Sequence, residues 1–169
     1  MAITEGYKFV YSWFDILQAQ GHFITGYVIM PNHVHDTIAF RKTTKSINKI
    51  IEDGIRFIGY AMGKRLQEQR LNELLHYLQD GVNDSDCQKD KVHEIWEDSF
   101  DWKECTSDIF TWQKLDYLHE NPCVGKWSLA GNAMEYPHSS ARFYLTGIHA
   151  AYRVLNFKDI ADINLANPD

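Results

Sequence analysis

The chain predicts an α+β domain. Apolar residues recur at helical spacing over Tyr7–Gln20 and again over Thr43–Gln69. Between them lie two β-rich segments separated by the turn signal Pro31-Asn32. Helix, hairpin, helix, strand, helix is the order that results, which suggests an antiparallel sheet with helices packed on one face. At 169 residues the chain is long enough to bury a substantial core as a single domain. Residues 150–169 form a tail whose pattern is poorly defined.

Taken in order, Phe9, Val10, Trp13, Phe14, Ile16 and Leu17 mark an amphipathic helix ending near Gly21. Phe23–Met30 and His33–Phe40 read as the two strands of a hairpin. In Thr43–Gln69 the "TTKS" segment offers caps, and Ile47, Ile50, Ile51, Ile55 and Ile58 form the inner stripe. Gly54, Gly59 and Gly63 weaken that helix locally. Leu71–Leu78 suggests a further short helix. Gly81–Asp90 is polar and rich in Gly, Asp and Asn, as in an exposed loop. Val92–Lys103 alternates in part and carries three aromatics, so it reads as strand or extended chain. Ser107-Asp108 caps a helix running to Glu120, stopped by Asn121-Pro122. A short helix from Ser139 follows.

Composition excludes disordered and fibrous classes. No apolar run has transmembrane length and no secretory pattern opens the chain, so the expected location is cytoplasmic, with no membrane partner. Cys87, Cys105 and Cys123 are far apart and lack CxxC spacing, as expected of free thiols. The net charge of −6 argues against a protein that coats DNA. Arg41–Arg70 is different, with eight basic residues against three acidic ones, a local +5. Lys42, Lys45, Arg56 and Lys64 are the candidate phosphate contacts there; a solvated helix face gives the same pattern.

His33-Val34-His35 sits on a strand, where alternate side chains share a face. The two imidazoles can therefore converge on one divalent ion. Alone, His-x-His is weak, because polar histidines on an exposed strand face look the same. Further along, "KLDYLHENP" puts Tyr117 and Asn121 one helical turn apart on one face. The Asn121 amide oxygen is a plausible third ligand, and Tyr117 a nucleophile if its proton, held by an ordinary phenol to pH about 10, is lost near a cation. A tyrosine packed on a helix is the plainer alternative. Lys114, three residues before Tyr117, can reach a phosphate or only solvent. His119 points away from that face and is expected to be structural. Trp96, Trp102 and Trp112 are expected to pack rather than to stack on bases.

"GYVIMPNHVH", "IWEDSFDWKE", "KLDYLHENP" and "EYPHSSARFY", in that order and spacing over roughly residues 7–145, resemble the HUH single-tyrosine transposases, in particular the REP-associated tyrosine transposase branch. The resemblance implies a ferredoxin-like HUH fold and cleavage and rejoining of single-stranded or hairpin DNA. It implies a divalent metal, Mg or Mn, on His33, His35 and Asn121, and Tyr117 as the nucleophile that forms a 5′-phosphotyrosine link. Dimers are frequent among relatives, so a homodimer is a possible assembly. Lys114 joins the candidate DNA contacts.

Three features depart from that pattern. The N-terminal strand is missing or shortened, since only Met1–Gly6 precede the first helix, and its place is filled from the tail, from a partner, or not at all. Asp36 stands where an apolar residue is usual, on the face of Val34, Ile38 and Phe40; in a core it needs a partner or a raised pKa. Glu52 and Asp53 blunt the basic helix. A non-catalytic DNA-hairpin-binding protein that keeps the fold is the alternative function, and a hydrolase using metal-bound water a weaker one.

Overall fold

The computed structural model describes residues 5–80, 95, 100–126 and 128–166. The chain divides into two compact units. One comprises Phe14–Thr44 and the described part of Lys103–Asp169; the other comprises the described parts of Ala2–Trp13 and Lys45–Trp102. Among the described residues, no helix is long and apolar enough to cross a membrane.

In the first unit, helix α1 (Tyr7–Ala19) contributes its C-terminal half and ends where the sequence suggests. Gly21 takes φ +83°, and the His22 N–H bonds back to the Leu17 carbonyl at 3.0 Å, the six-to-one closure of a glycine-capped helix. Strands β1 (Phe23–Ile29) and β2 (Val34–Ala39) then form an antiparallel hairpin. Pro31-Asn32 is its two-residue turn, closed by a 2.8 Å bond from the Met30 N–H to the His33 carbonyl. The register pairs Tyr27 with Asp36, Val28 with His35 and Ile29 with Val34. An irregularity between Ile24 and Gly26 leaves Thr25 as the extra residue, with its hydroxyl on the Thr37 carbonyl at 3.0 Å.

Helices cover both faces of β1, rather than one as the element order suggested. Tyr27 is fully buried and meets Phe14 of α1 edge-on, with ring centroids 5.8 Å apart. Its neighbour Gly26 points the other way, toward helix α4 (Asp108–Glu120). The reason lies in the strand: Ile24 to Met30 is apolar or small on both alternating sets, and a strand apolar on both faces needs cover on both. A Cβ on Gly26 would collide with Leu115 Cδ2 and lie 2.7 Å from the Thr37 hydroxyl. Gly26→Ala is therefore expected to cost about 1–3 kcal/mol. Thermal denaturation measures this; an unchanged midpoint would show that α4 is not seated closely on β1.

The edge of β1 away from β2 is not open. The Ile29 N–H reaches the His138 carbonyl at 2.9 Å, the Ser140 N–H reaches Tyr27 O at 2.9 Å, and the Leu155 N–H reaches Ile24 O at 3.0 Å. The Ser140 hydroxyl also accepts the Tyr27 N–H at 2.9 Å. Chain from beyond α4 thus satisfies backbone groups along this edge of β1. Helix α5 (Ala141–Thr146) continues directly from this segment.

In the second unit, helix α2 (Ile47–Glu68) is capped by the Ser46 hydroxyl, which accepts the Lys49 N–H at 3.2 Å. Its buried face is Ile50, Gly54, Ile58, Met62, Gly63 and Leu66. Ile50 and Ile58 belong to the expected stripe; Ile47, Ile51 and Ile55 are only half-buried. Gly54 is a contact rather than a weak point, because a Cβ there would run into the Trp13 indole. Asp53 gathers Lys49 at 2.9 Å, Lys45 at 3.3 Å and Arg56 at 3.7 Å. Helix α3 (Asn72–Asp80) follows, with Leu75 buried. The expected Gly81–Asp90 loop and most of the Val92–Lys103 strand, including Trp96, lie outside the described residues. Phe100–Lys103 has no regular structure.

Candidate active site

Four of the residues singled out in the sequence meet in the first unit. His33 ends the hairpin turn and His35 follows on β2, so both rings stand on the strand face turned toward α4. Their centroids are 4.9 Å apart, edge to face. The Tyr117 ring of α4 lies 5.6 Å from that of His35. One turn on, the Asn121 amide comes up to the His33 ring and, as an acceptor, favours a proton on it. Asn121 occupies the C-cap of α4, where Pro122 turns the chain into a 3-10 turn (Asn121–Cys123).

The helix is held at this place by its opposite face. Thr111, Leu115, Leu118 and His119 are buried, at the spacing of an inward stripe. Leu115 and Leu118 pack with Val28, Met30 and Tyr136. His119 Nε2 lies 2.8 Å from the Ser140 hydroxyl, which in turn holds the Tyr27 backbone. Burial pushes the His119 pKa down to about 4, so it is a neutral structural imidazole, as expected from its place on the helix. Tyr117 remains 61% exposed, open to a large ligand.

The donor set fits a divalent cation. A histidine ligates through a neutral nitrogen. Desolvation lowers the His33 pKa, with the Asn121 hydrogen bond opposing it in part. Desolvation also lowers that of His35, and a charge on His33 lowers it further. Both shifts favour the neutral ring. Among the described residues the Asn121 amide nitrogen is buried without a hydrogen-bond partner. Among the described residues, no group of three His, Cys, Asp or Glu side chains is placed to hold a metal ion.

The candidate DNA contacts are spread more widely. Lys42 and Lys114 belong to the first unit, and Lys45, Arg56 and Lys64 to the second. Lys42 and Lys64 are exposed. Lys45 and Arg56 share Asp53, and Lys114 Nζ sits 5.0 Å over the Phe110 ring. Trp112 packs against Tyr144 and Phe157, whereas Trp102 is 51% exposed with its indole N–H on Asn48 Oδ1 at 2.9 Å. Cys105 and Cys123 are free thiols.

Asp36 is on the face opposite the histidines, paired with Tyr27. It has no hydrogen bond or ion pair among the described residues, and desolvation pushes its carboxyl up to about 7. One residue of the site went unnoticed in the sequence. Asn32 Oδ1 lies 2.8 Å from His33 Nδ1; the signal was an amide in the turn directly before a candidate ligand. Comparisons with family models, with curated proteins and with solved structures found no match to this chain.

Proposed function

We propose that the chain cleaves and rejoins single-stranded DNA at hairpin-bearing ends, with Tyr117 as the nucleophile, in the manner of an HUH transposase of ferredoxin-like fold. The observation that carries this reading is the convergence of His33, His35 and Asn121 beside an exposed phenol from the same chain. His33, His35 and Asn121 would hold Mg or Mn, which when bound polarises the scissile phosphate and screens its charge. The Tyr117 oxygen attacks phosphorus, the bond from phosphorus to the 3′-oxygen breaks, and the phenolic proton ends on the released 3′-hydroxyl. The phosphodiester energy is kept in the tyrosine link, so a second 3′-hydroxyl can reverse the step. Lys114 and Lys42 belong to the same unit as this site and would meet backbone phosphates.

End-labelled hairpin DNA incubated with the chain and Mn or Mg tests this. The expected result is a labelled protein band that survives denaturation, needs the metal and maps to Tyr117. Binding without a covalent band would favour a DNA-hairpin-binding protein instead. Multiple-turnover hydrolysis without an adduct would favour metal-activated water.

A further inference from the structure

We infer that Asn32 is a positioning residue that sets the tautomer of His33, and so decides which ring nitrogen is offered to the cation; this rests on the metal-site reading above. Asn32 Oδ1 is 2.8 Å from His33 Nδ1. A carbonyl oxygen only accepts, so Nδ1 carries the proton and the lone pair is left on Nε2. The amide is held in place by a short loop: Pro31-Asn32 are its only residues, and the Met30 N–H to His33 O bond closes it at 2.8 Å. Asn32 itself is exposed, so its side chain is not there to fill a core. The other group acting on the ring is the Asn121 amide, on a separate element, which as an acceptor competes for the ring proton. The 2.8 Å bond to Asn32 decides that competition in favour of Nδ1, so Asn32 leaves the Nε2 edge of His33 unprotonated and fixes the ring plane while doing so.

The test uses the whole chain without metal, at pH 8, and its Asn32→Ala and Asn32→Asp forms. Long-range 1H–15N spectra of the imidazoles report the tautomer, with His33 assigned by comparison with His33→Gln. The wild type and Asn32→Asp, which keeps an acceptor, are expected to show a protonated Nδ1 and a bare Nε2. Asn32→Ala is expected to show the tautomer mixture of a free imidazole. In calorimetric titration with Mn or Co, Asn32→Ala is expected to bind about 10–100-fold more weakly, with Asn32→Asp restored. Unchanged melting temperatures separate this from a loss of fold. A wild-type His33 protonated on Nε2 overturns the inference outright. A wild type that binds neither metal overturns the metal reading. A wild type that binds metal no better than Asn32→Ala overturns the role of Asn32 alone.

Discussion

Replacing Tyr117 with phenylalanine is expected to abolish covalent capture of hairpin DNA while leaving the fold and DNA binding as they were. The substitution removes one oxygen from a residue that is 61% exposed, and keeps the ring whose centroid lies 5.6 Å from that of His35. Surface changes of this kind stay within about 0.5 kcal/mol of the parent stability. Chemistry is another matter, because the phenol is the one hydroxyl on that face of α4, beside the exposed carboxylates Asp116 and Glu120 and a Lys114 that leans on Phe110. Loss of a nucleophile costs far more than loss of a supporting group, so adduct formation should fall by at least about a thousandfold. Gel-shift affinity and the melting temperature are the controls. An adduct at parental level in Tyr117→Phe would sink the tyrosine mechanism.

The second large effect concerns Asp36. Its carboxyl is raised to about 7 by desolvation, so the folded state prefers the protonated form. The sign follows directly. Stability is fully present below the unfolded pKa of about 3.9 and is lost as pH rises toward 7, where the native state must carry an unpaired carboxylate. The full shift corresponds to about 4 kcal/mol; allowing for the partial exposure of the residue, a cost on the order of 2–3 kcal/mol at pH 8 is reasonable. Asp36→Val, and less strongly Asp36→Asn, should then melt about 4–12 °C higher than the parent at pH 8 and close to it at pH 4. His119 has the opposite sign, contributing above pH 6.5 and losing its contribution as pH falls toward 4, but it is present in both chains and cancels in the comparison. Equal melting temperatures at pH 8 would mean that the carboxylate reaches water.

Much of this was legible in local pattern. Pro31-Asn32 announced the hairpin, Gly21 the end of α1 and Ser107 the start of α4, because each acts on its own few neighbours. The i, i+4 spacing put Tyr117 and Asn121 on one face, and the spacing of two put the histidines on another; their meeting required only that α4 lie on that side of β1. The oddity of Asp36 was visible too, since an acid among Val34, Ile38 and Phe40 breaks the alternation. What escaped notice depends on distant partners. Gly54 looked like a defect in α2 until Trp13 was placed on it. That Asp53 blunts the basic run was visible, but not that it would draw Lys45, Lys49 and Arg56 together to itself. The closure of β1 by His138–Ser140 and Leu155 has no signature in β1 at all.

That closure sets a schedule for synthesis. The hairpin is local and forms within about 1–10 μs once both strands are free. The hydroxyl that takes the Tyr27 N–H belongs to a residue 113 positions later. At about 5–20 residues per second, the outer edge of β1 waits roughly 6–23 s on the ribosome for its own chain to reach it. During that interval an apolar strand with open N–H and C=O groups is available to any other strand nearby. Yield from rapid overexpression should therefore be limited by association through β1, and slower translation or lower temperature should favour chains that close the edge on themselves.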